Sequence, residues 1–149
     1  MDEFLEEAVE ELKRVDHLIY VSLKYTRTVD VFKSILERLI ACYDLAMEGL
    51  LQKAKAKNKI SVIPISPVLK AEMLKKIYAK QEDFIPFIDF YIYLRKLNHA
   101  EYTKSNEYRR HVTMTAIFPS GETQEVTMDI IHDYYDKVKE FVKYVGENL

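Results

Sequence analysis

The sequence contains little glycine and a single cysteine, and each scarcity excludes a class of function. With three glycines in 149 residues, the chain has no glycine-rich loop of the kind that cradles phosphate groups. With Cys42 as its one cysteine, it has neither a disulfide framework nor a Cys-x-x-Cys pair. The HExxH and Gly-x-Ser-x-Gly motifs of metalloproteases and serine hydrolases are also missing. We therefore expect no metal site and no cofactor.

The sequence also lacks a long apolar run and a strong net charge. It has no stretch of about 18 uncharged apolar residues, and it begins with the acidic pair Asp2-Glu3 rather than with a signal peptide. We therefore expect no membrane partner and a cytoplasmic location, which the single cysteine also favours. The net charge is −2, so nucleic acid binding would require a local basic patch.

The pattern that dominates the chain is a long helical periodicity between Val29 and Ala56. Apolar residues recur there at alternating spacings of three and four, which is typical of one side of an α-helix: Val29, Phe32, Leu36, Leu39, Tyr43, Ala46 and Leu50. Further apolar residues widen this side to about half the circumference, so the helix is expected to contact several neighbours. Thr28 is the predicted N-cap, and Cys42 is predicted to be a buried core residue.

Four further segments have helical signals. Residues 3–25 form a predicted first helix, and the short link Thr26-Arg27-Thr28 predicts that it lies antiparallel to the central one or that the two form nearly one bent helix. Ser66-Pro67 predicts the start of a helix that runs to about Ala79. Residues 83–97 are apolar almost all round and suit a helix or a strand; their length favours a helix. Asp129 is the predicted cap of a last helix that ends at Gly146.

Alternating apolar residues from His111 to Phe118, turn residues 119–122 and a second alternating run to Met128 predict one β-hairpin. Ile60–Ile65 could form a short extended segment, restricted by Pro64 to an edge or a loop. The predicted fold is therefore mainly α: a four- to five-helix bundle with one β-hairpin near residues 111–128, in a single domain spanning residues 1–149. Asp89, among apolar neighbours in the 83–97 segment, is expected to need Tyr93 or a cation as partner.

Two stretches combine cations with tyrosine. On the first helix, one side carries residues spaced by four and three: Lys13, His17, Tyr20, Lys24 and Arg27. Asp16 lies at the edge of this row and could pair with one of its cations. The second stretch, from Arg95 to His111, holds the other candidate residues: Arg95, Lys96, His99, Tyr102, Arg109 and Arg110. Cations beside aromatic rings suit phosphate contacts with base stacking; the alternative is a set of solvated charges that neighbouring acids neutralise.

The segment Arg95-Lys96-Leu97-Asn98-His99 places an Arg and a His near the end of a helix. Together with two long antiparallel helices, it resembles the HEPN superfamily of small helical domains, which includes RNA-cleaving toxins and non-catalytic binding modules. The resemblance implies a dimer whose motifs face a shared cleft, although catalytic members separate Arg and His by more than the three residues found here. Leu94-Arg95-Lys96 and Arg109–Thr113 also resemble segments of small archaeal proteins, which implies no activity.

Three functional hypotheses follow from these patterns. The first is a non-enzymatic module that binds RNA or another polyanion through a basic, tyrosine-containing surface. The second is a HEPN-like, metal-independent ribonuclease in which His99 transfers protons and Arg95 stabilises phosphate charge. The third is a homo-oligomeric interaction or structural protein, because the apolar stretch from Phe84 to Leu94 could be covered by another subunit.

Overall fold

Residues 2–149, which the computed structural model describes, form five helices and one three-stranded antiparallel sheet. The helices are α1, which begins with Glu3–His17, α2 (Val29–Ala56), α3 (Pro67–Ile77), α4 (Phe84–His99) and α5 (Met128–Asn148). The strands are β1 (Glu101–Ser105), β2 (Thr113–Ile117) and β3 (Thr123–Val126). The prediction of a mainly α bundle with a β-hairpin is confirmed.

Helix α2 is the central element, with the bounds that its periodicity predicts. Half of its residues are buried, and α1, α3, α4, α5 and β2 all pack on it. Thr28 is its N-cap, because the threonine hydroxyl accepts a hydrogen bond from the amide of Val31 at 3.4 Å. Cys42 is fully buried, and its thiol donates to the carbonyl of Ala8 at 3.4 Å. Burial raises the pKa of this thiol to about 12, which keeps it protonated and unreactive at neutral pH.

Helix α1 changes geometry along its length. It continues from His17 through a π-helical segment, Leu18–Ser22, and ends with one α-helical turn, Leu23–Tyr25. The residues Thr26, Arg27 and Thr28 then reverse the chain, and α1 packs along α2 as the short link predicts. The wider π-helical turn rotates the residues that follow it about the helix axis, relative to a regular α-helix. The candidate residues expected along one side of this helix therefore do not form a continuous row.

The chain between α2 and α3 contains no strand, so Ile60–Ile65 is a loop, one of the two possibilities that Pro64 left open. Asn58 adopts a left-handed conformation with φ of 59° and ends α2. The residues after it form bends and irregular loop, and Pro64 has no backbone donor for pairing in a sheet. Ser66 then caps α3 as predicted, with its hydroxyl accepting from the amide of Leu69 at 3.4 Å.

Helix α4 confirms the choice of helix for the apolar segment near residue 90. Its aromatic residues pack against α2 and α5. The ring of Tyr43 on α2 stacks on that of Phe141 on α5 at 4.4 Å, and the Tyr43 hydroxyl donates to the carbonyl of Phe87 on α4 at 2.8 Å. Phe84, Ile88, Tyr91 and Leu94 of α4 are fully buried in the core, whereas the apolar side chains between them are only partly buried. Asp89 pairs with Lys75 at 2.7 Å, which confirms the predicted cationic partner, although the carboxylate is on the exposed side of the helix rather than among apolar groups.

The hairpin of β2 and β3 is confirmed, with Met114, Ala116 and Val126 facing the core. The strand β1 was missed by the sequence patterns, which showed only a polar stretch there. It pairs antiparallel with β2, with Tyr102 opposite Ala116. All five residues of β1 are exposed, so the strand has no apolar alternation to reveal it.

Two predicted boundaries of the last helix were wrong. Helix α5 begins at Met128 with Thr127 as N-cap, because the Thr127 hydroxyl accepts from the amide of Ile130 at 3.3 Å. Asp129 is instead in the first turn, where a carboxylate is favoured by the helix dipole. Gly146 does not end the helix, which runs on to Asn148. A glycine inside a helix costs only about 1 kcal/mol relative to alanine, so it does not by itself end the helix.

Two helical glycines test whether close packing or helix propensity decides stability. A β-carbon at Gly49 would lie 3.0 Å from the Phe4 β-carbon and 3.2 Å from the capping Asp2 carboxylate, whereas one at Gly146 would meet only Leu5 at 3.4 Å. We expect Gly49→Ala to destabilise the protein by about 1–3 kcal/mol, despite the gain in propensity. The matched Gly146→Ala variant should be more stable by about 0.5–1 kcal/mol. Urea unfolding measures both, and equal stabilisation by the two substitutions would contradict the close packing of α1 on α2.

Candidate functional site

The two basic stretches meet at the junction of α1 and α2. The backbone amide of Tyr108 donates to the carbonyl of Arg27 at 2.7 Å. The neighbouring carboxylate of Glu107 accepts a hydrogen bond from the amide of Val29 at 2.9 Å. These bonds join residues about 80 positions apart in the chain, and they place Arg27 beside the turn that carries Arg109 and Arg110.

The carboxylate of Glu107 supplies part of the cap of α2. Val29 is the first residue of this helix, so its amide has no partner within the helix. A carboxylate at that position is favoured both as a hydrogen-bond acceptor and by the positive end of the helix dipole. The Glu107 carboxylate is therefore occupied at the helix end. No acidic side chain among residues 2–149 forms a salt bridge with Arg27, Arg109 or Arg110.

The turn between β1 and β2 holds Tyr108 in a strained backbone conformation. Its φ is 64°, and that of Asn106 is 55°. The left-handed region is tolerated by asparagine but costs about 1–2 kcal/mol for most other residues. The ring of Tyr108 is 76% exposed, so no packing of the side chain offsets this cost. Strain of this kind is concentrated at functional sites.

Lys24 and Tyr25 extend this region along the end of α1. Tyr25 is 77% exposed, and the ammonium group of Lys24 lies 5.9 Å from the centre of its ring. We name the whole region the basic tyrosine surface and define it by six residues: Lys24, Tyr25, Arg27, Tyr108, Arg109 and Arg110. It combines four cations with two exposed aromatic rings at one end of the helical bundle.

The cations beside β1 are more strongly held by their own chain. The ammonium group of Lys33 lies 5.3 Å from the centre of the Tyr102 ring and donates to the carbonyl of Asn98 at 2.5 Å. Desolvation by burial lowers the pKa of Lys33. Lys104 pairs with Asp30 at 3.5 Å, and this carboxylate raises the pKa of the lysine. Lys33 and Lys104 therefore border the basic tyrosine surface but are less available to a ligand than its arginines.

Several of the residues predicted on α1 lie apart from this surface. Lys13 pairs with Glu10 at 2.9 Å, near the middle of the helix. Tyr20 belongs to the π-helical segment, and its ring meets His132 edge to face at 5.5 Å. Asp16 accepts a hydrogen bond from the hydroxyl of Tyr135 at 2.9 Å, so the expectation that it would pair with a cation was wrong. His17 is exposed near the end of the regular α-helix.

The predicted residues of α4 divide between two environments. The guanidinium group of Arg95 lies 5.8 Å from the centre of the Tyr91 ring, and the Tyr91 hydroxyl donates to Asp44 at 2.6 Å. Lys96 and His99 instead line a cleft of about 1020 Å³ between the end of α4 and the β2–β3 turn. Arg95 is not part of this cleft, so the Arg and His of the HEPN-like segment do not share its lining.

The sequence patterns included Arg27, Arg109 and Arg110 among the candidates. Tyr108 falls within the second basic stretch, from Arg95 to His111, whereas Tyr25 was not among the candidates. No periodicity marks Tyr108, because its exposure results from a left-handed turn that the bond to Arg27 holds in place. Tyr25 lies next to Lys24, and the adjacency of an aromatic and a basic residue was the available signal. The importance of Glu107 depends on a contact between distant parts of the chain and had no local signal.

No protein family model, characterised protein or solved structure matches this chain. Among residues 2–149 there is no group of three or more His, Cys, Asp and Glu side chains arranged to hold a metal ion. In the same part of the chain, no helix combines the length and the hydropathy needed to cross a membrane. The fold and the surface therefore define a mainly α protein that carries a basic patch at one end of its central helix.

The strain at Tyr108 predicts that one substitution can relieve it without loss of stability. Tyr108→Asn keeps the backbone bond to Arg27 and introduces a residue that tolerates positive φ. We expect this variant to be as stable as the original chain or up to about 1 kcal/mol more stable. Thermal unfolding measures this effect. A clear loss of stability would show that the tyrosine ring serves the fold.

Proposed function

We propose that the protein binds single-stranded RNA, or a polyanion of similar chemistry, through the basic tyrosine surface. The observation that carries this proposal is the hydrogen bond between the Tyr108 amide and the Arg27 carbonyl, which joins two basic segments into one patch. A cytoplasmic location is part of the proposal, since RNA is available there. The chain's net charge of −2 makes the patch, rather than the whole molecule, the source of attraction.

The chemistry of the patch suits a single strand better than a duplex. Arg109 and Arg110 can make paired hydrogen bonds to phosphate oxygens. Tyr25 and Tyr108 project rings on which unpaired bases can stack, and each stacked base contributes about 1–3 kcal/mol. Bases inside a duplex are already stacked on each other and are not accessible to these rings.

Fluorescence anisotropy with a labelled single-stranded RNA tests the proposal at about 50 mM and about 200 mM salt. We expect binding that weakens with salt, because cations that contact phosphates release bound counterions. Arg109→Ala with Arg110→Ala should lower the log–log salt slope by about 1.4, since each single-strand phosphate contact contributes about 0.7. Tyr108→Ala should weaken binding with little change in slope, because stacking releases no counterions.

The matched control is Lys139→Ala with Lys143→Ala, which removes the same charge from exposed positions on α5. If this control weakens binding as much as the arginine pair does, the attraction comes from overall charge and the proposed surface is wrong. Binding that does not respond to salt would also contradict the proposal.

A HEPN-like ribonuclease is a second candidate function, favoured by the position of His99. This side chain is exposed beside Lys96 in the cleft next to the β2–β3 turn, where a phosphate could approach it. In this mechanism His99 would transfer a proton and Arg95 would stabilise the phosphate charge. Rotation of the Arg95 side chain away from Tyr91 would be required, because the guanidinium group lies against that ring.

Cleavage of a labelled RNA in the presence of a metal chelator tests this candidate. If it is right, His99→Ala lowers the cleavage rate by about 100-fold or more, the usual contribution of a general acid or base. Arg95→Lys provides the comparison, because it keeps the charge but loses the planar, paired donors. Cleavage that persists in purified His99→Ala protein would exclude the mechanism.

A homo-oligomer remains a third proposal and concerns assembly rather than chemistry. Four residues of the apolar stretch from Phe84 to Leu94 that suggested it are fully buried in the protein's own core, and the partly buried ones between them are the surface that a second subunit would cover. Sedimentation velocity over a range of concentrations distinguishes a monomer from a dimer. A dimer would be compatible with either RNA proposal, since HEPN-like domains that cleave RNA pair their motifs across a dimer.

A further inference from the structure

The longest run of exposed aliphatic side chains lies at the other end of α2, between that helix and the start of α3. Ile65 is 95% exposed and Val62 is 70% exposed, and Val68 and Leu69 follow on the first turn of α3. We name these four residues the aliphatic patch. Exposed single hydrophobic residues are common, but four within eight positions form a cluster that suggests a binding partner.

The same segment contains the strongest concentration of positive charge in the chain. Between residues 53 and 80 there are eight lysines and one acidic residue, Glu72, in a protein whose net charge is −2. Lys70 pairs with Glu48, and Lys75 pairs with Asp89. Five other lysines of this segment are exposed and form no salt bridge with any residue from 2 to 149: Lys55, Lys57, Lys59, Lys76 and Lys80.

The positions of these lysines surround the aliphatic patch. Lys57 and Lys59 precede it, separated by the left-handed turn at Asn58. Lys76 follows it on α3 and lies seven residues after Leu69, a spacing that returns to the same side of a helix. Pro64 and Pro67 restrict the backbone between them. The aliphatic side chains therefore project from a conformationally restricted segment that has cations on both sides.

We propose that the aliphatic patch and its flanking lysines attach the protein to the surface of an anionic lipid bilayer. Aliphatic side chains can enter the boundary between headgroups and acyl chains, while lysines remain at the charged surface. This contact requires no membrane-spanning helix. It differs from the expectation of no membrane partner, which rested on the absence of a long apolar run.

The composition of the patch favours lipid over the other polyanions and over a second copy of the chain. No aromatic residue occurs from Lys53 to Ile77, so bases would have nothing to stack on. A two-fold contact between copies would bring the lysines of each patch together, and like charges oppose such a contact. A specific protein interface also requires about 20–30 residues per side, which is far more than this patch supplies. A bilayer accepts projecting side chains without a preformed pocket.

The two proposed surfaces are far enough apart to be tested separately. The basic tyrosine surface lies at the first residues of α2, and the aliphatic patch follows its last residue. A helix of 28 residues is about 42 Å long at 1.5 Å per residue. Substitutions in the aliphatic patch should therefore leave RNA binding unchanged, so the failure of either proposal can be recognised independently of the other.

Co-sedimentation with vesicles tests the lipid proposal on the full chain. We expect binding to vesicles that contain about one-third phosphatidylserine and little binding to pure phosphatidylcholine. Lys57→Ala with Lys59→Ala should reduce the partition coefficient by about 25-fold, because each lysine near the surface contributes about fivefold. Ile65→Ser with Leu69→Ser should abolish binding at high salt, where the electrostatic attraction is screened. Circular dichroism verifies that these exposed substitutions leave the fold intact.

Lys139→Ala with Lys143→Ala is again the matched control and should bind these vesicles as the original protein does. Equal binding to both vesicle types would overturn the proposal, as would full retention of binding in the Ile65→Ser, Leu69→Ser protein. Sedimentation velocity without lipid adds a further decisive outcome. A dimer that is lost in the Ile65→Ser, Leu69→Ser protein would assign the patch to a second copy and overturn the lipid contact.

Discussion

The structure depends on the burial of one helix. Half of the 28 residues of α2 are enclosed by its neighbours, so the other four helices and strand β2 are arranged around it. Each buried aliphatic or aromatic side chain contributes about 1.5–3 kcal/mol relative to exposure, and no other element offers as many. Both surfaces that we propose for ligands lie near the two ends of this helix.

The beginning of α2 shows how the fold shapes a site. The first amides of a helix need acceptors, and Thr28 and Glu107 supply them for Val31 and Val29. Because Glu107 comes from the turn after β1, this cap fixes a distant segment against the end of α1. The turn then presents Tyr108 in a strained conformation. The segment that caps the helix through Glu107 therefore also exposes the aromatic ring of Tyr108.

The two ends differ in chemistry in a way that net charge conceals. At the first end, arginines stand beside tyrosines; at the second, lysines stand beside isoleucine, leucine and valine. Arginine forms directed, paired hydrogen bonds with phosphate, whereas lysine acts as a compact, strongly hydrated charge. Aromatic rings stack on bases, and aliphatic chains mix with acyl chains. Acidic residues elsewhere in the chain offset the positive charge of both regions, so the net charge of −2 does not reveal that either region is basic.

A large part of the fold was predictable from local patterns, and much less of the site was. The bounds of α2, the caps Thr28 and Ser66, the buried Cys42 and the β2–β3 hairpin all follow from periodicity or from cap chemistry. Three arginines of the basic tyrosine surface could be nominated because cations cluster near Arg27 and Arg109. The proximity of these arginines in space could not be inferred from the sequence. Nor could the distance of Lys13 from the basic tyrosine surface, or the fact that His99 lines the cleft while Arg95 lies against Tyr91.

The sequence by itself determined which segments are helical and which of their faces are apolar, because hydrophobic spacing and capping act over a few residues. Only the tertiary structure decided that β1 would join the sheet, since an exposed strand has no alternation and is stabilised by its partner alone. Only the tertiary structure decided which cations would be neutralised, since ion pairs such as Lys75 with Asp89 link different helices. The contact of Arg27 with the 108–110 turn also depends on the tertiary structure. Hydrogen bonds between residues about 80 positions apart produce no recognisable pattern in the local sequence.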